Sequence, residues 1–211
     1  MSDLVKGIDV VLFDLGNVLL DLDYPRIIQE FKKVARKNQN NIRKLVMDSK
    51  VLIKFETGQI EADRFREAVN QILACSLSEL EFEAIWNSML SSITKERMDK
   101  VLKIGERFDT YILSNSNITH EIAFEQMVMD ATGKPSIRDF VKEAYFSHEI
   151  GMRKPNADIY EFVVDDIENY PSRMLFLDDR LDNIEAAKAA GMKAVQIFHP
   201  DKQINELFNL G

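Results

Sequence analysis

The sequence predicts an α/β fold: a doubly wound parallel sheet that carries an inserted all-α cap. Three observations predict it. Short, nearly continuous apolar runs (Ile8 to Phe13, Thr110 to Leu113, Met174 to Leu177) have the pattern of strands buried on both faces, as in parallel sheets. From Thr94 onward strand-like and helix-like segments alternate, as parallel crossovers require. Pro25 to about Leu90 breaks that alternation, being charged, helical by period and free of strand signals. A chain of 211 residues has room for one such domain and a smaller insert. The expected division is a core of residues 1–23 and 94–211 and a helical cap of residues 24–93.

In chain order, the Ile8 to Phe13 run follows Gly7 and ends at the loop Asp14-Leu15-Gly16-Asn17. The insert reads as three to five short helices. Glu61 to Leu73 sets Phe65, Val69, Ile72 and Leu73 on one helical face, and Ser78 with Glu81 forms a capping box ahead of Phe82, Ile85, Trp86 and Met89. Thr94 caps a helix running to about Arg107. A strand at Thr110 to Leu113 opens into the polar loop Ser114 to Asn117, and a helix starts near Thr119. Ala144 to Phe146 is a weak strand and Asn156 to Ile167 a helix. Met174 to Leu177 is a strand ending at Asp178-Asp179, the helix from Asn183 to Ala190 is stopped by Gly191, and Lys193 to Ile197 is the last strand before a short closing helix. In such a Rossmann-like sheet, ligands sit beyond the carboxyl ends of the strands. Three unusually polar loops fall there: Asp14–Asn17, Ser114–Asn117 and Asp178–Asn183.

Composition narrows the function. With 45% apolar and 29% charged residues the chain is an ordered protein. Its net charge of −8 does not attract nucleic acid or an anionic membrane surface. The same field does not attract a phosphate ester, so such a substrate would need a metal ion and a few placed Lys or Arg residues. The single cysteine, Cys75, excludes an internal disulfide, and its neighbours Ile72, Leu73 and Leu77 suggest a buried thiol. No run has signal-peptide character or approaches the ~20 apolar residues of a membrane span. A cytoplasmic protein, monomeric or weakly dimeric, acting on a small molecule is expected.

Asp14 stands at a strand end, where an Asp also commonly begins a turn. Asp178-Asp179 repeats the situation. Adjacent carboxylates repel, and a bound cation is the usual remedy. Asp14 and Asp179 offer the hard oxygen ligands that magnesium prefers. Asp182 extends the cluster, though a residue just before a helix also serves as a cap. Ser114, with nearby main-chain N–H groups, could hold phosphate oxygens or simply form a turn. Lys154, in Gly151-Met152-Arg153-Lys154-Pro155, would neutralise a crowded anionic site if folded in, or else belong to a solvated basic pair.

Taken together, these motifs resemble those of the haloacid dehalogenase superfamily in order and spacing. Phe13-Asp14-Leu15-Gly16-Asn17-Val18 resembles its first motif, Leu113-Ser114-Asn115 its second, and Lys154 its third. Phe176-Leu177-Asp178-Asp179, followed by Asn183-Ile184-Glu185-Ala186-Ala187 and Gly191-Met192, resembles its fourth. The resemblance covers roughly residues 7–22 and 94–200. It implies a nucleophilic Asp14 that forms an aspartyl-phosphate, and magnesium held by Asp14, the Gly16 carbonyl and Asp179, with Asp178 beside them. It further implies a phosphoryl group held by Ser114, Asn115 and Lys154, and a cap that selects substrate. Phe55-Glu56-Thr57-Gly58 resembles the cap loop that dips into the site, so Glu56, Thr57 and Gly58 are candidate selecting residues, with Gly58 equally able to end a helix.

One departure matters. Phosphatases of this superfamily mostly have a second aspartate two residues after the nucleophile as general acid and base. Here that position is Gly16, and such help is worth ~10²–10⁴ in rate. Asp-Leu-Gly-Asn-Val is similar to bacterial phosphatases acting on sugar 1-phosphates such as glucose 1-phosphate, whose anomeric oxygen leaves readily. A 2-haloacid dehalogenase also lacks that aspartate, but dehalogenases of this kind do not keep the paired aspartates seen at 178 and 179. A non-catalytic phosphate-binding protein is the third reading. His120, His148, Asp21 and Asp23 are possible substitute acids or bases, with ordinary structural roles as the alternative for each.

Overall fold

The computed structural model describes residues 3–210. Five strands form one parallel sheet: β1 (Val10–Phe13), β4 (Asp109–Ser114), β5 (Glu143–Phe146), β6 (Met174–Asp178) and β7 (Lys193–Gln196), in the order β5-β4-β1-β6-β7. The chain builds outward from β1 on one side, then returns to lay β6 on the other. The carboxyl ends of β1, β4 and β6 thus meet at the topological switch, where α/β sheets bind ligands.

Alternation along β1 explains why its run carries no polar residue. Val11 and Phe13 enter the core on one face, with Ile112 and Leu177, against α5 (Lys95–Gly105), α6 (Ile118–Thr132) and α10 (Pro200–Phe208). Val10 and Leu12 enter the core on the other face, with Phe176, against α8 (Ala157–Ile167) and α9 (Leu181–Ala189). A strand covered on both sides has no solvated position to mark with a polar side chain. The short helix α7 (Ser147–Ile150) follows β5.

The inserted segment has its own apolar cluster, built from α1 (Tyr24–Val34), a π-turn at Arg43–Met47, α2 (Lys50–Glu56), α3 (Ala62–Leu73) and α4 (Glu79–Trp86). The Ser78–Glu81 capping box is formed, and Phe65, Val69 and Leu73 are buried. Ile72 is only partly buried. The Cys75 thiol is half-buried rather than enclosed, and donates to Asn70 Oδ1 at 3.2 Å.

The segment is not wholly helical, in contrast to the sequence reading. β2 (Leu20–Leu22) pairs antiparallel with β3 (Leu90–Ile93), closing both crossings between cap and core into one two-stranded ribbon. Arg97, buried in α5, anchors this ribbon to the core through Asp21 at 2.8 Å, the Leu19 carbonyl at 3.3 Å and Asp201 at 2.9 Å. No helix among the described residues is long and apolar enough to cross a membrane.

Candidate active site

The three polar loops converge. Asp14, Gly16, Ser114, Asn115, Lys154 and Asp179 all line one cleft of about 820 Å³ between the sheet's carboxyl edge and the cap. Lys154 lies at its floor, 1% exposed, with Nζ 2.9 Å from Asp14 Oδ1 and 2.7 Å from Asp178 Oδ2. It belongs to no solvated basic pair, and its neighbour Arg153 turns away to meet Glu56 of the cap at 2.9 Å.

Asp14 has two unlike oxygens. Oδ1 accepts from Leu15 N–H at 2.7 Å and faces Lys154, while Oδ2 has neither contact. Burial raises the Asp14 carboxyl far above the usual carboxylate range, to about 8; Lys154 pulls it down, and the charges of Asp178 and Asp179 push it up. Burial also raises Asp179. Ligand atoms of Asp14, Asp178 and Asp179 lie within 4.8 Å of one another. This all-oxygen donor set with an excess of negative charge suits a hard divalent cation. The Gly16 carbonyl accepts no main-chain hydrogen bond among the described residues, which leaves it free as a further oxygen donor.

Asp178 and Asp179 differ in what they have left to give. Asp178 is fully buried, and its oxygens already accept from Lys154, from Arg180 N–H at 2.8 Å and from the Asn183 amide at 2.9 and 3.0 Å. Asp179 is partly exposed and accepts from Asn17 Nδ2 at 2.8 Å. Asn17 is in the left-handed region at φ 54°, which Asn tolerates better than most residues. Its other amide atom accepts from Leu22 N–H, so one side chain ties the β1 loop, the β6 loop and the ribbon together.

The Asn115 side chain has a structural occupation. Its carboxamide is used at both ends by the main chain of Lys154, donating to the carbonyl and accepting from the N–H, each at 2.8 Å. It fixes the loop that delivers Lys154, which leaves only its main-chain N–H for an anion. Asp182 is not the cap of α9. Arg180 holds that position, and Asp182 sits in the first turn, paired with Arg180 at 2.6 Å.

Of the cap residues, Glu56 lines the cleft. The Thr57 hydroxyl donates back to the Ile53 carbonyl at 2.8 Å. Gly58 is at φ +64°, and a Cβ there would stand 2.3 Å from the His148 carbonyl oxygen. It therefore both ends α2 and lets the cap touch the core backbone.

Every substitute acid considered from sequence has a structural occupation. Asp21 accepts from Arg97 and Ser92, and Asp23 caps α1. His148 faces Glu121 at 2.9 Å. His120 does line the cleft, but it stacks on Trp86 at 5.0 Å and meets Asn87 Oδ1 at 2.9 Å, and burial pushes it down to about 3. Sequence reasoning passed over Tyr24, which lines the cleft although the residue is 47% exposed; partial loss of water around its phenol and the charges of Asp179, Asp14 and Glu56 push the phenol upward. A Tyr at the entry to a helix gave no signal of its own.

The buried triad makes a stability prediction. Lys154→Met leaves two buried carboxylates facing each other without their cation, and should cost about 3–5 kcal/mol. Denaturant unfolding would measure it. Protonation of the raised Asp14 relieves the repulsion, so the loss should be smaller at pH 5 than at pH 8, and Asp14→Asn in the same chain should recover part of it.

A family model described as haloacid dehalogenase-like hydrolase matches residues 8–191. The chain is 26% identical over 186 residues to a D-ribitol-5-phosphate phosphatase of Bacteroides thetaiotaomicron, covering 88% of this chain and 90% of that protein. A HAD family enzyme from the same organism, solved in complex with magnesium and inorganic phosphate, superposes with a TM-score of 0.79 at 30% identity over 90% of this chain and 94% of that one. A structure described as a predicted HAD-like family hydrolase, from Porphyromonas gingivalis, shares the fold more fully, with a TM-score of 0.87 over 97% and 98% of the two chains, at 22% identity.

Proposed function

Because the chain belongs to the haloacid dehalogenase-like hydrolases, we propose that it is a magnesium-dependent phosphatase that cleaves a small phosphate monoester of the sugar or sugar-alcohol class. The observation that carries this is Lys154 Nζ held between Asp14 and Asp178 at the ends of β1 and β6, with Asp179 alongside. The D-ribitol-5-phosphate phosphatase and the magnesium and phosphate complex support the substrate class and the metal.

Asp14 Oδ2 attacks phosphorus, and the bond from phosphorus to the ester oxygen breaks, its electron pair leaving with that oxygen, which takes a proton from water to become the alcohol. Water then attacks the aspartyl-phosphate, releasing inorganic phosphate and restoring the carboxylate. Lys154 holds Asp14 Oδ1, which leaves Oδ2 for the attack, and its charge offsets that of the equatorial phosphoryl oxygens. Ser114 and the main-chain N–H of Asn115 donate to the same oxygens. Asp14, Asp179 and the Gly16 carbonyl would hold magnesium, with Asp178 bracing Lys154. The bound ion supplies charge neutralisation at the phosphoryl group. The glucose 1-phosphate type of substrate remains within this class. The paired aspartates speak against a dehalogenase.

Magnesium and pH should be linked. The folded-state value of Asp14 lies above its unfolded value of 3.8, so protonation favours the fold. The metal-free protein should therefore lose stability as pH rises from about 4 through about 8. A cation binds the ionised site, so its affinity should rise about tenfold per pH unit over that window for one proton displaced. Titration calorimetry at pH 6, 7 and 8 would measure this, and melting curves should show a larger gain from magnesium at pH 8 than at pH 6. A melting temperature indifferent to magnesium at every pH would count against the metal site.

A further inference from the structure

The chain's charge is unevenly placed. Residues 24–54 contain nine basic and two acidic residues, a net +7, which leaves −15 for the rest of a chain of net −8. Two of these cations, Lys32 of α1 and Arg43 of the π-turn, line the same cleft as Asp14. Both side chains are exposed. Neither has an ion-pair partner among the described residues. Every other cation lining the cleft is committed: Lys154 to Asp14 and Asp178, Arg153 to Glu56, Arg180 to Asp182. Among the cap residues lining the cleft the acids are Asp48 and Glu56, and Glu56 is paired with Arg153, so the charge left unpaired on the cap side is net positive.

A polyol tail needs neutral donors and acceptors, and two unpaired cations facing one cleft are a poor match for it. The same pair suits a carboxylate or phosphate, to which Arg offers a planar fork of donors. We propose that Lys32 and Arg43 form a second anion site at the mouth of the cleft, and that the substrate carries a second anionic group, a carboxylate or a further phosphate, remote from the scissile bond. This rests on the phosphatase reading and narrows it. It also answers the difficulty of the acidic core: the cap attracts what the core repels.

The test compares a pentitol 5-phosphate with the corresponding aldonic acid 5-phosphate and pentitol 1,5-bisphosphate. Binding is measured to Asp14→Asn with magnesium present, and kcat/KM to the active enzyme. A second charge should improve both by about tenfold, the scale of two exposed charge contacts. Whichever of the acid and the bisphosphate gains more identifies the group. Lys32→Gln with Arg43→Gln should bring the charged-to-neutral ratio to about one, and Arg43→Glu should invert it; these side chains are exposed and unpaired, so folding is not at stake. A ratio near one in the unaltered rim, or a preference that survives the double substitution, overturns the proposal. So does an equal loss for all three compounds, which would mean long-range steering only. Preferential binding without hydrolysis of any compound would sink the phosphatase reading and leave the second anion site standing.

Discussion

Asp14→Asn should lower kcat by at least ~10⁴, the scale on which a covalent nucleophile is lost, and leave the fold intact. Asn matches Asp in shape and still accepts from Leu15 N–H at the Oδ1 position. What it removes is the free Oδ2 nucleophile and one of three crowded carboxylates. Lys154 keeps Asp178 as a partner, so no buried cation is orphaned. The metal-free variant should therefore melt at or above the temperature of the parent, and most clearly so near pH 8, where the Asp14 charge costs most. Initial rates with an aryl phosphate, together with a melting curve, make the measurement. Wild-type turnover by the variant would show that Asp14 is not the attacking group.

Part of this site was legible in the sequence because carboxylates placed together at strand ends call for a cation. Electrostatics alone left Lys154 open between the site and a solvated basic pair, and it was the resemblance of Gly151 to Pro155 to the superfamily's third motif that pointed to the site. The sheet was legible because strands buried on both faces admit only apolar residues, and β1 and β6 read that way without knowledge of their partners. The ribbon was not legible. Leu20–Leu22 and Leu90–Ile93 are too short for a period to emerge, and each becomes a strand only because the other, about seventy residues away, supplies the ladder. The work of Asn115 was hidden likewise, since its carboxamide serves a main chain thirty-nine residues on. His120 was ambiguous until Trp86 of the cap covered it. An exposed imidazole near a cleft suggests a base, whereas one stacked at an interplanar angle of 2° and pushed down to about 3 is part of the cap–core contact.

The missing acid at position 16 should govern which esters react. No carboxylate stands two residues after the nucleophile, and Asp21, Asp23 and His148 are tied up elsewhere. His120 is held neutral by its burial and is too weak a base to carry a proton at pH 7. The leaving oxygen must then depart with more of its charge, offset by Lys154 and a bound cation. The first step should slow steeply as the leaving alcohol becomes more basic, with simple alkyl phosphates slower than aryl phosphates by ~10²–10⁴. Hydrolysis of the aspartyl-phosphate lacks a base as well. For good leaving groups it should limit turnover, so that their rates converge and a burst of phenol equal to the enzyme appears. Gly16→Asp should help alkyl esters most, at a structural cost: a Cβ at position 16 would stand 2.7 Å from Leu22 Cδ1, so the Leu22 side chain must move aside on the ribbon that carries the cap. Gly16→Asp with Leu22→Ala relieves that contact and separates chemistry from packing. Stopped-flow measurement over a series of leaving groups tests the idea. A flat dependence without a burst would mean that another group supplies the proton, and Tyr24, whose phenol is pushed upward and which lines the same cleft as Asp14, would be the first to replace with Phe.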